Sequence, residues 1–337
     1  RARGWFVIIL GFVIGFLTFL PSAAYIYTEW LWFKEMTEYI SVFWKLTAAP
    51  WLLFLRFSLT ALGFLAINFF LARRLCPIPG GFQRWAAGRT STVNRVVLAI
   101  VIIVPIVMGS FAIPMWDDYL RYKEQEPFIT QNPDTGKEEV VQDPQFGKDI
   151  SYYLFKFPVR NFVSSWTKAL FWITLLTMIF LYNFYYNRDS QTKTLVIRRG
   201  VIHLSILWLL VLAASIWRSA VNIDRLVYSQ RGVVFGAGYT DVHVEIPAYH
   251  VYMFIVFLIA LIVIINMAWK KRFLITIPTA LWFGSYIVLI WILPGAYQQI
   301  RVTPNESIWE REYISRNIDC SRLAYGLDKA KISELIP

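Results

Sequence analysis

Seven mostly apolar stretches divide the chain, and polar residues concentrate in the connections between them. Each stretch is long enough, or nearly so, to cross a hydrocarbon core as a helix of about 20 residues. The pattern predicts an all-α integral membrane protein with seven transmembrane helices. The predicted spans cover approximately residues 5–27, 51–72, 96–115, 166–186, 201–217, 251–269 and 273–293.

The loop between the third and fourth predicted spans, residues 116–165, has about 50 residues. Loops of this length are typically functional or disordered. Within it, residues 149–158 carry apolar side chains at helical spacing before Pro158, which predicts an interfacial helix that ends at this proline. The shorter loop at 28–36 is rich in aromatic residues and predicts a second interfacial segment.

A short strand is predicted ahead of the sixth span. In residues 241–246, apolar side chains alternate with Asp241, His243 and Glu245 after a glycine-rich turn. Alternation with a period of two is typical of a strand with one covered and one solvated face.

An amphipathic helix is predicted after the seventh span, over residues 308–325. Ser307 and Glu310 fit a capping box, and Gly326 stands where a C-terminal helix glycine belongs. The helix carries two apolar stripes, so we expect two protein surfaces to cover it. Its polar arc should face water, and consists of Arg311, Ser315, Asp319 and Arg322.

Composition agrees with a protein whose main solvent is lipid. The chain is 57% hydrophobic and 16% charged, against roughly a quarter charged in soluble domains, which excludes a purely soluble protein. The net charge of +11 would favour nucleic acid as a partner of a soluble protein. Here the charge has another explanation, because it lies almost wholly on one side of the predicted membrane.

Basic residues give the predicted orientation. The segment before the first span, the connections 73–95 and 187–200, and the hairpin 270–272 together hold 14 basic residues and one acid. Positively charged short loops stay in the cytoplasm, so we predict a cytoplasmic N-terminus and an extracytoplasmic C-terminus. Cys76 and Cys320 then lie on opposite sides and cannot pair. We expect membrane lipids, and no nucleic acid, as partners.

Candidate metal ligands cluster in the predicted outer loops. They are Asp241, His243, Glu245 and His250, with Asp117 and Asp118 as neighbours. Imidazole and carboxylate groups together can hold zinc or another divalent ion. The alternative is an ordinary solvated strand face. Because Asp-x-His-x-Glu is not a recognised ligand spacing, we favour the solvated face and expect no metal or cofactor.

The predicted spans offer little for ion transport or catalysis. They contain no acid, while Arg56 and Lys168 lie near the outer ends, where long side chains reach the membrane surface. We predict that His203 lies at the cytoplasmic interface. The sequence carries no phosphate-binding glycine motif or nucleophile elbow, so no catalytic residue is assigned.

Four blocks of sequence resemble uncharacterised protein family 0182, a group of multi-pass bacterial membrane proteins. The blocks are TEWLWFKEM (28–36), QDPQFGKDISYYLFKFP (142–158), FGAGYTDVHV (235–244) and EREYISRNIDCSRLAYGLD (310–328). The resemblance implies seven N-terminal spans in the bacterial inner membrane and a large extracytoplasmic C-terminal region, but no biochemical activity. We therefore divide the chain into a transmembrane domain, 1–300, and the truncated start of an extracytoplasmic domain, 301–337.

The leading functional hypothesis is a non-enzymatic anchor or scaffold, or an accessory subunit of a membrane complex, with other subunits as partners. A lipid or small-solute transporter is the first alternative. A metal-dependent module on the outer face is the second.

Overall fold

The computed structural model describes residues 2–76, 88–131, 137–187, 190–269 and 273–327. Most of these residues are helical. The helices are α1 (Ala2–Glu35), α2 (Ile40–Leu75), α3 (Gly88–Ser110), α4 (Trp116–Lys123), α5 (Phe157–Tyr186), α6 (Ser190–Leu195), α7 (Val201–Arg225), α8 (Ile246–Trp269), α9 (Phe273–Tyr286), α10 (Leu293–Tyr297), α11 (Glu306–Trp309) and α12 (Arg311–Ala324). Short π-helical turns lead directly into α5, α7 and α8 and flank α10, at Tyr152–Lys156, Val196–Gly200, Asp241–Glu245, Ile287–Ile292 and Gln298–Val302.

Six helical stretches within the described residues are long and apolar enough to cross a membrane. They are Ile40–Leu75, Arg95–Lys123, Tyr152–Tyr186, Lys193–Tyr228, Asp241–Trp269 and Ile277–Trp309. They correspond to the second to seventh predicted spans, so the chain is a multi-pass membrane protein. The first predicted span falls within α1, but the side chains of residues 1–15 and 17–19 lie outside the described residues. A seventh span therefore stays a prediction.

Among these six stretches, the one that contains α7 is the most buried. Half of its most apolar part is buried inside the protein, against 28–44% for the corresponding parts of the other five. It packs against α5 on one side and α8 on the other. Large aromatic side chains fill the space around it, including Tyr182, Tyr185, Tyr249 and Tyr252, each at most 1% exposed.

A small antiparallel hairpin stands in the long loop between α4 and α5. Its strands are β1 (Ile129–Gln131) and β2 (Glu138–Val140), with Ile129 opposite Val140. We call this end of the bundle the hairpin end, and the opposite end, where Cys76 follows α2, the Cys76 end. The predicted basic connections belong to the Cys76 end, and residues 77–87, 188–189 and 270–272 within them lie outside the described residues.

The strand predicted at 241–246 is wrong. These residues form a π-helical turn that continues directly into α8. The alternation spans only six residues, and the long apolar helix that follows extends backward through it. Helical geometry places Asp241 and Glu245, four residues apart, on the same face. The structure instead places its short strands in the loop before α5.

Two predicted helix ends are also different. Residues 152–157 are helical as expected, but Pro158 lies in the first turn of α5 and does not end the helix. Proline is compatible with this position because the π-helical turn just before it interrupts the regular α-helical hydrogen-bond pattern. The segment 28–36 is likewise mostly helical, because α1 runs to Glu35.

His203 is buried within the protein, and its depth in the membrane stays a prediction. The residue is 3% exposed, with Nε2 2.9 Å from Asn68 Oδ1 and Nδ1 2.8 Å from the Tyr182 hydroxyl. These three residues come from α7, α2 and α5. The polar group therefore links three helices within the bundle, where each hydrogen bond offsets the cost of burying it.

Candidate functional site

Polar side chains concentrate at the hairpin end, where the start of α5, the end of α7, the start of α8 and the helices α11 and α12 meet. We call this region the junction. Its buried carboxylates come from three different elements: Asp224 from α7, Asp241 and Glu245 from the turn before α8, and Glu310 from the break between α11 and α12. Burial of carboxylates is costly unless each has a partner, so the partners define the site.

Arg231 binds two of these acids. Its Nη1 lies 2.9 Å from Asp241 Oδ1 and 2.5 Å from Glu245 Oε2. The second oxygen of Asp241 accepts a hydrogen bond from the backbone N–H of Gly238 at 3.1 Å. Arg231 lies in the loop between α7 and α8, so this pairing fastens the loop to the π-helical turn that leads into α8.

Glu310 is completely buried and lies against the same loop. Both of its carboxylate oxygens are 3.2 Å from the backbone nitrogen of Tyr239, which donates to them. A Cβ atom on Gly238 would lie only 3.0 Å from this carboxylate, which is closer than ordinary van der Waals contact, so a larger residue would require the carboxylate to shift. The capping box predicted for Glu310 and Ser307 is therefore wrong: this carboxylate binds another part of the chain, and the predicted helix breaks at Glu310.

Asp224 joins α7 to the segment before α5. Lys148 Nζ is 2.5 Å from one carboxylate oxygen, and the Tyr152 hydroxyl donates to the other at 2.6 Å. Arg160 stands 3.6 Å away. Two cations and a hydroxyl thus surround one buried acid.

Helix α12 docks on this surface. Arg316 Nη1 donates to Gln145 Oε1 at 2.5 Å, and Asn317 Nδ2 donates to the Phe235 carbonyl at 3.0 Å. Tyr313 is 6% exposed and places its hydroxyl 3.3 Å from His243 Nδ1. A cavity of about 230 Å³ remains between these elements. Three of the four blocks that carry the family resemblance meet around it.

Burial also changes the acid–base properties of the docked helix. It raises the pKa of Glu310; the Tyr239 N–H opposes this rise, and nearby Asp241 and Glu306 add to it. Burial, with the negative charge of Glu312, raises the pKa of Tyr313 to about 12. Both groups are therefore more readily held in the neutral form than their counterparts in water.

The predicted metal candidates do not converge on one point. Asp241 and Glu245 share Arg231, whereas the His243 ring stacks on Tyr239 with centroids 4.2 Å apart. His250 is exposed on α8. Asp117 and Asp118 lie on α4, where Asp117 pairs with Arg121. Within the described part of the chain, no three His, Cys, Asp or Glu side chains are grouped so that they could hold a metal ion.

Sequence reasoning missed the partners that organise the junction. Arg231, Lys148 and Asp224 lie in different segments, and nothing in their local spacing links them. Nothing in the sequence singles out Glu310, because Glu306 and Glu312 lie close to it. The GxG sequence of residues 236–238 was a usable signal, since it allows a close approach to the backbone.

Known proteins similar to this chain share one description. A family model described as uncharacterised protein family (UPF0182) matches residues 6–336. A UPF0182 protein of Moorella thermoacetica is 28% identical over 98% of this chain and 36% of its own length. One from Sulfurovum is 31% identical over 69% of this chain and 24% of its own.

A third relative, from Thermobifida fusca, is 28% identical over 95% of this chain and 31% of its own length. The chain thus spans between about a quarter and a little over a third of these relatives. No solved structure matches it. Since the family model covers nearly the whole chain, the protein belongs to uncharacterised protein family UPF0182.

Proposed function

We propose that this chain is a non-enzymatic membrane anchor that holds an extracytoplasmic region in a fixed position on the bundle. The observation that carries the proposal is the complete burial of Glu310 against the Gly238–Tyr239 backbone. Burial of an acid is costly unless its partner is held in place, so this contact is not expected of a mobile tail. Glu310, Arg316 and Asn317 bind the loops before α5 and α8, and these loops connect α12 to the bundle.

The orientation belongs to the same proposal. We place the N-terminus in the cytoplasm and the hairpin end outside a bacterial plasma membrane, because basic residues concentrate in the connections of the Cys76 end. The junction then faces the extracytoplasmic side. A complex whose other subunits bind that side would use the chain as its membrane subunit.

A lipid or small-solute transporter is the second candidate. It is favoured by an apolar cavity of about 390 Å³ between α2, α4 and α5, whose lining includes Arg56, Tyr119 and Trp166. A cavity with one cation and apolar walls suits an amphipathic molecule. We rank the anchor above the transporter because the junction joins more segments of the chain than the apolar cavity does.

Protease release from intact cells tests the anchor. Tyr313→Asp puts a charge into the buried contact with His243 and should release the region after α12 several-fold faster than wild type. Asp319→Ser, on the exposed arc of the same helix, is the matched control and should leave the rate unchanged. Equal rates for the two variants would show that α12 is not anchored by the junction.

A further inference from the structure

A strongly basic cavity opens on the surface of the bundle, beside the junction. It has a volume of about 350 Å³ and opens between α5, α7 and α9. The residues that line it and matter here are Ser165, Lys168, Trp172, Arg218, Asn222 and Arg225. Three of these six are cations and none is an acid.

The positive charge of this cavity is not neutralised by the surrounding protein. None of the ion pairs among the described residues includes Lys168, Arg218 or Arg225. Arg218 donates only to neutral groups, on Asn161 and Ser164. Glu245, the acid that feels the charge of Arg225, is itself bound by Arg231.

Like charges around one cavity repel each other and attract an anion. The ammonium of Lys168 lies 5.8 Å and 5.7 Å from the ring centroids of Trp282 and Tyr286. Cation–π contacts hold it at the wall while its three N–H donors stay available.

Asn222 adds a polar but uncharged group to the wall. Its side chain lines the cavity, is only 5% exposed and is hydrogen-bonded to Tyr249. The lining therefore offers an anion three cations and no competing acid.

The depth of the cavity fits the membrane surface at the hairpin end. Lys168 follows Trp166, where the apolar run of α5 begins, and Arg218 follows Trp217, where that of α7 ends. Tryptophan at both edges is typical of the boundary between hydrocarbon and headgroups. The rings of Trp172 and Trp282, with centroids 5.5 Å apart, lie beside the cavity.

We propose that this cavity binds the phosphate of a glycerophosphate group. The phosphate would lie among Lys168, Arg218 and Arg225. The group has two sources, the headgroup of an anionic phospholipid such as phosphatidylglycerol and a soluble glycerol phosphate. This proposal is independent of the anchor function.

The test uses the purified chain in detergent, with phosphatidylglycerol or zwitterionic phosphatidylcholine as the lipid probe and glycerol 3-phosphate as the soluble probe. Native mass spectrometry measures retained lipid, and tryptophan fluorescence measures the unfolding temperature. The cavity variant is Lys168→Gln with Arg225→Gln. Its matched control, Lys156→Gln with Arg311→Gln, removes the same charge from exposed positions at the same end.

We expect phosphatidylglycerol to be retained about tenfold more than phosphatidylcholine by wild type and by the control, and the cavity variant to lose this preference. Ser165→Asp puts a negative charge at the exposed mouth and should weaken binding likewise. Ser165→Asp is the deciding test of binding at the cavity if the double variant fails to fold. A rise in unfolding temperature with glycerol 3-phosphate alone would support the soluble source. If neither probe distinguishes the cavity variants from the control, the proposal is wrong.

Discussion

Glu310 is the single residue on which the docking of α12 depends most directly. Replacing it with alanine leaves the Tyr239 N–H buried without an acceptor, which costs about 1–3 kcal/mol. We predict that Glu310→Ala speeds amide hydrogen exchange in residues 311–324 by about tenfold or more. Glu312→Ala removes an acid whose side chain is 67% exposed and should change exchange only slightly. Equal effects would mean that the carboxylate contact contributes nothing to docking.

The same carboxyl group predicts a pH dependence. Burial raises its pKa above the ordinary value of 4.5, so docking favours the protonated form. The stability from this group is therefore fully present below the ordinary pKa and is lost as the pH rises through the raised one.

We expect the exchange of α12, corrected for the intrinsic rate, to be slower at about pH 5 than at about pH 8. Glu310→Gln, which stays neutral throughout, should show a smaller difference between these two conditions. Other groups that face this region, His243, Asp241 and Glu306, remain in the variant and serve as an internal reference. A pH difference as large in the variant as in wild type would assign the effect to them.

At the scale of elements, Arg231 determines how α8 begins. The Arg231→Gln change would leave Asp241 and Glu245 buried together without the cation that pairs with both of them. Removing one partner of a buried ion pair costs about 3–5 kcal/mol, so we predict a clear fall in the unfolding temperature.

The rescue variant for this prediction adds Asp241→Asn and Glu245→Gln, which makes all three groups neutral. It should recover much of the lost stability, because the penalty comes from unpaired charge rather than from lost volume. Arg311→Gln, at an exposed site, is the control for loss of one positive charge. Failure of the rescue would show that Arg231 acts through packing instead.

Sequence patterns identified the apolar helices but not the junction. Helices of 20 or more residues carry their signal in many side chains at once, and for that reason the second to seventh predicted spans fall within helices. The segment 241–246 carried a strand signal over only six residues, and continuity with α8 overrides it. The ion pair of Lys148 with Asp224 joins positions 76 residues apart, and nothing in local spacing can show it.

At the scale of the whole molecule, the orientation in the membrane is the prediction with the widest consequences. If the Cys76 end faces the cytoplasm, the junction and the basic cavity both face the extracytoplasmic side. Labelling of Cys76 cannot test the orientation, because this residue is fully buried. Burial also raises the pKa of its thiol to about 11, although Arg199 opposes the rise. A reporter on that end must be exposed.

Arg198→Cys provides an exposed reporter at the Cys76 end, and Cys320 provides one at the hairpin end. We predict that a membrane-impermeant maleimide, applied to intact cells, labels Cys320 in a Cys76→Ala background. With Cys320→Ser and Arg198→Cys added, labelling should require permeabilised cells. Burial and nearby Asp143 and Asp319 raise the pKa of Cys320, so its labelling should be slow and should speed up at alkaline pH. Labelling of Arg198→Cys but not of Cys320 in intact cells would reverse the orientation and place the junction in the cytoplasm.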